Sequence, residues 1–110
     1  MAFEIIVAPA AAQALKNLSV PIRTGVTQAL EVHLTHEPTK VSKSRIKRLR
    51  GLSQPQYRLR VGDIRVFYDV TETQVQGLAI VTKAEAQAWL AAQGTPSPTT
   101  EGSGSGGGEG

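Results

Sequence analysis

The chain has 110 residues, no cysteine, two histidines and a net charge of +3. That length suits one small domain, and the absence of cysteine excludes a disulfide framework and thiolate chemistry. No run approaches the roughly 20 apolar residues of a membrane span, and Glu4 and Pro9 break the opening stretch where a signal peptide would be continuous, so a cytoplasmic protein is expected.

Ala2 to Val7 is rich in β-branched and aromatic residues and predicts a first strand. Pro9 suits the first turn of a helix, where its missing N–H costs nothing. Ala11, Ala14, Leu15 and Leu18 then recur at helical spacing. Ser19 is placed to cap a second helix with Pro21 in its first turn, and Ile22, Val26, Leu30 and Leu34 form its apolar stripe with Ala29 beside them. Gly25 weakens that helix by about 1 kcal/mol, which is understandable if two helices approach closely there. His33 and His36 fall near its end, where an imidazole favourably meets the C-terminal dipole. They are three apart with no other histidine or cysteine in the chain, which argues against a metal site. Glu37-Pro38 ends the helix, since the residue before proline avoids the helical region.

Arg45 to Arg50 reads as a short edge strand, and Gly51 to Pro55 as a loop. From Tyr57 to Val61 apolar and polar residues alternate, the pattern of a half-buried strand. Gly62-Asp63 between two β-rich runs is a type II′ hairpin signal, because glycine supplies the positive φ. A two-residue turn sets Val61 opposite Ile64, Arg60 opposite Arg65, Leu59 opposite Val66 and Arg58 opposite Phe67. One face then carries Tyr57, Leu59, Val61, Ile64, Val66 and Tyr68, which is a core. The other carries Arg58, Arg60, Arg65 and Phe67. Arginines directly opposite on adjacent strands repel, and the pair is best understood if an anion or a partner's carboxylates sit over that face.

Asp69 to Thr73 is read as a polar turn and Val75 to Val81 as the last strand. Its consecutive Leu78, Ala79, Ile80 and Val81 suit a central position buried on both faces. Thr82-Lys83-Ala84-Glu85 has the form of a capping box, and Ala86, Trp89 and Leu90 give the helix that follows an apolar stripe. After residue 93 the composition is Gly, Ser, Pro, Thr and Glu, which cannot bury enough to order itself. The expectation is therefore a folded domain over 1–93 and a disordered tail over 94–110. The fold class is α+β: an antiparallel sheet with two N-terminal helices packed on it and one C-terminal helix, β-α-α-β-β-β-α.

Charge is concentrated. Between Lys40 and Arg65 lie nine basic residues against the single acid Asp63, so the remainder of the chain is net acidic. Six of the nine are arginines, suited to bidentate contact with phosphate or carboxylate. Such a block is an electrostatic footprint for nucleic acid or an acidic protein. Charges on an edge strand also discourage aggregation, a role compatible with binding.

Leu49-Arg50-Gly51-Leu52, followed by Tyr57-Arg58-Leu59-Arg60-Val61-Gly62-Asp63-Ile64-Arg65-Val66-Phe67-Tyr68-Asp69-Val70, resembles the RelE/ParE superfamily of toxin–antitoxin toxins. Phe3 to Ala11 is similar to that family's opening strand and helix, and the likeness runs from residue 2 to about 90. In RelE-type members the ribose 2′-hydroxyl of messenger RNA in the ribosomal decoding site attacks the adjacent phosphodiester, and positioned positive charge stabilises the crowded anion that forms. The resemblance assigns that work to Arg58, Arg60 and Arg65. Lys83 stands where active relatives carry an arginine, and Trp89 where they carry a tyrosine. Lys83 keeps the charge without the planar fork, and Trp89 can stack on a base but has no ionisable hydroxyl. Lys43, Arg45, Lys47, Arg48 and Arg50, with Trp89, are the candidates for further nucleic-acid contact.

The resemblance implies a cognate antitoxin whose acidic segment wraps the toxin, and an enzyme, an endoribonuclease (mRNA interferase), with no cofactor or metal, since the 2′-hydroxyl is the nucleophile. Two alternatives are a ParE-like inhibitor of DNA gyrase and a catalytically weak or silent member that binds an acidic antitoxin or nucleic acid.

Overall fold

The computed structural model describes residues 2–97. Glu4–Val7 forms β1, with Ile5 and Val7 turned toward the core. Pro9–Asn17 forms α1 and Val20–Ala29 forms α2, each with proline in its first turn as expected. At Leu30–Leu34 α2 passes into a π-helical turn, and both leucines are buried. Gly25 does not serve a close helix approach: a Cβ built there meets nothing within 4 Å.

Ile46–Arg48 forms β2 and Leu52–Gln54 forms β3. The hairpin follows as β4, Tyr57–Val61, and β5, Ile64–Val70. Its register is the expected one, with Arg60 opposite Arg65 and Arg58 opposite Phe67. Gly62 has φ 59° and Asp63 is not in the positive-φ region, the combination a type II′ turn requires. Gln74–Thr82 forms β6, Lys83–Gln93 forms α3, and Thr95–Pro96 forms β7.

The main sheet runs β1-β6-β5-β4-β2. It is antiparallel except at β1, which pairs parallel with β6, so the sheet is mixed rather than wholly antiparallel. The reason is connectivity: α1, α2 and the rest of the sheet intervene between β1 and β6, which leaves room for the crossover a parallel pair needs. The expected edge strand is present as β2, so the main sheet has one more strand after the helices than the order β-α-α-β-β-β-α counts. β6 is interior, as its apolar run predicts. Its register with β5 shifts between Phe67 and Tyr68, so that Val75 and Ile80 both reach the same core despite their odd spacing.

α1 and α2 cover one face of the sheet, where Ala11, Val26, Leu30 and Leu34 meet Leu59, Val66, Tyr68 and Ile80. Tyr68 stacks on Tyr57 with ring centroids 5.5 Å apart and donates its hydroxyl to the Pro38 carbonyl at 2.6 Å. Burial, and secondarily Tyr57, holds its pKa above the ordinary tyrosine value.

α3 covers part of the opposite face. Thr82 and Glu85 form the expected capping box, and the Lys83 N–H donates to the Asp63 carbonyl at 2.8 Å, which ties the start of α3 to the hairpin turn. Beyond α3 the chain stays ordered further than its composition suggests: β7 pairs with β3, and Ser97 N–H donates to Gly51 O at 2.9 Å. Residues 98–110, the rest of the tail expected to be disordered, lie outside the described residues.

The turn expected over 69–73 begins two residues later, because β5 continues through Val70. Asp69 is buried within the strand, and its carboxylate accepts from Gln54 Nε2 at 2.7 Å and Gln56 N–H at 2.8 Å. Two good donors satisfy what would otherwise be a costly buried charge.

Candidate functional site

The basic face of the hairpin and the first turns of α3 enclose a cleft of about 370 Å³. Strand alternation sends Arg58 from β4 and Arg65 and Phe67 from β5 into it, and Lys47 from β2 joins them because it pairs with Arg58. Lys83 projects from the other wall, as the first residue of α3. Leu49, Ala86, Gln87 and Leu90 complete the lining.

Arg65 is only 7% exposed. One of its terminal nitrogens donates to the carbonyls of Gly62 at 2.9 Å and Ile64 at 3.1 Å, which fixes the guanidinium against the turn. Arg58 is half-buried, and its Nε is buried without a hydrogen-bond partner. Burial, then Arg65, then Arg60, holds its pKa below the ordinary arginine value. Arg60 is exposed across from Arg65 and outside the cleft lining, so it acts on the cleft through its field.

Among the described residues the one ion pair is Lys40–Glu37, at 3.7 Å on the exposed surface. Among those residues no carboxylate lies within ion-pair distance of Lys47, Arg58, Arg65 or Lys83. Nor does any Asp, Glu, His or Tyr among the described residues line the cleft. Four cationic side chains around one concavity with no counter-charge among the described residues, one with an unsatisfied buried donor, are arranged to receive an anion. The same preorganised charge would stabilise negative charge that grows during a reaction at phosphorus.

Trp89 stacks on Phe67, ring centroids 5.1 Å apart and planes 7° apart, and so fastens α3 to the sheet behind the cleft. The other candidates divide. Arg48 lies over the Tyr57 ring at 5.1 Å and donates to the Gln56 carbonyl at 2.8 Å. Arg48 and Arg50 line a neighbouring pocket. Arg45 lines a separate hollow of about 230 Å³ beside His33, whose pKa is lowered by burial and, secondarily, by Arg45. Lys43 is exposed in the loop before β2 and lines none of these cavities.

Sequence reasoning missed Gln87 and the floor made by Leu49 and Leu90. One signal was available: Phe67 is the lone apolar residue on a basic hairpin face, which requires an apolar cover from elsewhere, and Trp89 provides it.

No family model and no curated protein matches the chain. Among solved structures it is similar to the RelE–RelB complex of Pyrococcus horikoshii, with a TM-score of 0.63 and 23% identity over 76% of this chain and 97% of that one. It is also similar to the RelB–RelE antitoxin–toxin complex of Methanococcus jannaschii, with a TM-score of 0.59 and 18% identity over 76% and 96% of the two chains. The toxin–antitoxin complex RelBE2 of Mycobacterium tuberculosis gives 0.59 and 23% over 74% and 99%. The fold is RelE-like.

Proposed function

From the premise of a RelE-like fold with an uncompensated basic cleft, we propose that this protein is the toxin of a toxin–antitoxin pair and acts as a ribosome-dependent mRNA endonuclease. The observation that carries this reading is the meeting of Lys47, Arg58, Arg65 and Lys83 around one cleft with no carboxylate among them. In the reaction the ribose 2′-oxygen forms a bond to phosphorus as the P–O5′ bond breaks, leaving a 2′,3′-cyclic phosphate and a 5′-hydroxyl. The 2′-hydroxyl proton leaves as its oxygen attacks, and a proton reaches the departing 5′-oxygen. Arg58 and Arg65 hold the non-bridging oxygens as charge builds, and fixed donors of this kind are worth about 10²–10³ in rate. Lys47 and Lys83 flank them and add positive charge to the same cleft. An antitoxin with an acidic segment is the expected partner for the same face.

A second reading is a catalytically silent binder of nucleic acid or of that antitoxin. It is favoured by the absence of any His, Asp, Glu or Tyr among the cleft-lining residues. Purified protein added to mRNA-programmed ribosomes separates the two. Cleaved message with 5′-hydroxyl ends, reduced about 10²-fold in Lys83→Met, supports the nuclease. Message that stays intact while the protein binds the ribosomes refutes it in favour of the binder.

A further inference from the structure

The cleft leaves unexplained the π-helical turn that ends α2. Such turns are rare and recur at functional sites. This one keeps Leu30 and Leu34 in the core, while Val32 and His33, between them in sequence, line the separate hollow of about 230 Å³. Glu37, Lys40 and Ser42 from the segment that follows, with Arg45 and Ile46 where β2 begins, complete the lining.

The polar groups of this hollow are mostly donors left free. Ser42 Oγ accepts the N–H groups of Arg45 and Ile46, each at 3.1 Å, which occupies its lone pairs and leaves its own proton to be given. Among the described residues the Arg45 guanidinium and the His33 ring have no ion-pair partner. The one acid in the lining, Glu37, lies 3.7 Å from Lys40 and offsets that charge, so Arg45 remains as the net charge. His33 and Arg45 come from different elements and face the same space, where a negative charge would relieve their mutual repulsion.

We propose that the hollow binds a small oxyanion of the phosphate type, held by Arg45, the Ser42 hydroxyl and protonated His33. The site is separate from the cleft and stands whether or not the cleft cuts RNA. In the empty hollow burial, and secondarily Arg45, holds the His33 pKa down. A bound anion favours the imidazolium and raises that pKa, so binding tightens as pH falls through the His33 titration. Glu37, Lys40 and Arg45 are the other titratable groups in the lining.

Sulfate is the first probe, because its charge does not change near neutral pH, with chloride holding ionic strength fixed. Histidine ring signals followed by NMR should show saturable binding at His33, several-fold tighter at about pH 5.5 than at about pH 8. The His33 midpoint should rise on saturation, while the signals of His36, outside the hollow, stay still. Arg45→Gln should abolish the response at His33. His33→Gln, followed through the Ser42 and Arg45 amides, should bind weakly and without pH dependence. Lys83→Met, which alters only the cleft, should respond as the parent does. Inorganic phosphate beside glycerol phosphate then separates the sources: tighter binding of the ester assigns the site to a phosphorylated small molecule, equal binding to the free ion. No saturable change at His33, a response shared equally by His36, or one that survives Arg45→Gln would overturn the site. A response lost in Lys83→Met would place the anion in the cleft and overturn it as well.

Discussion

Arg58, Arg60 and Arg65 share one face of a hairpin and differ in what holds them. Arg65 is locked by two carbonyls, Arg58 is crowded and incompletely bonded, and Arg60 is free in solvent. Arg58→Met keeps the apolar stem, removes the unsatisfied Nε and relieves two like charges. Its stability should equal or exceed the parent's in denaturant unfolding, while RNA cleavage falls by about 10²-fold. Arg65→Ala should behave differently, costing about 1–3 kcal/mol because it leaves the buried Ile64 carbonyl without that donor. Arg60→Ala should shift stability by no more than about 0.5 kcal/mol. Equal costs for the three would contradict the separate roles given to them. The shared face was legible in the sequence, because strand alternation and a glycine turn fix which side chains point together. The burial of Arg65 was not, since it depends on α3 and the turn carbonyls closing over it.

The cleft exists because α3 is held against the sheet at both ends. Its start is fixed by the Thr82–Glu85 box and the Lys83–Asp63 bond, and its end by the pairing of β7 with β3. The box was legible from Thr82 and Glu85 at their spacing. The β3–β7 ribbon was not, because its residues have the composition of a loop and a tail and pair only through long-range backbone bonds. Hydrogen bonds from Thr82 lower the pKa of Glu85 from its ordinary 4.5. A carboxylate with a lowered folded-state value adds stability above about pH 4.5, lost as pH falls through the folded value. Melts of Glu85→Gln and the parent should therefore differ at neutral pH and converge in acid. A gap that persists in acid would contradict the charged cap. At the other end, a Cβ on Gly94 would sit 2.6 Å from the Leu90 carbonyl and 3.3 Å from Leu52 Cδ2. Gly94→Ala should cost about 1–3 kcal/mol and loosen α3, seen as faster amide exchange over 83–93. Unchanged exchange would show that the ribbon does not hold the helix.

For the molecule as a whole, α1 and α2 with the apolar core lie on one face of the sheet and the basic cleft, walled by α3, on the other. Tyr68, Leu59 and Val66 build the core from the same two strands that deliver Arg58 and Arg65 to the cleft. The α+β class and the hairpin register followed from local pattern and turn chemistry. The parallel pairing of β1 with β6 did not, because periodicity carries no information about which strand a distant strand will join. The sorting of the basic block was hidden for a related reason: Lys47 and Arg48 are adjacent in sequence yet point to opposite faces, and only Lys47 reaches the cleft.

Mapping 5′-hydroxyl ends in cellular RNA after a short pulse of expression decides whether the cleft cuts RNA as proposed. An Arg58→Met/Lys83→Met double variant at equal soluble yield provides the control. New 5′-hydroxyl ends within translated codons, absent in the double variant, are the predicted result. Growth arrest with no new ends, or ends that persist in the variant, would overturn the proposed nuclease.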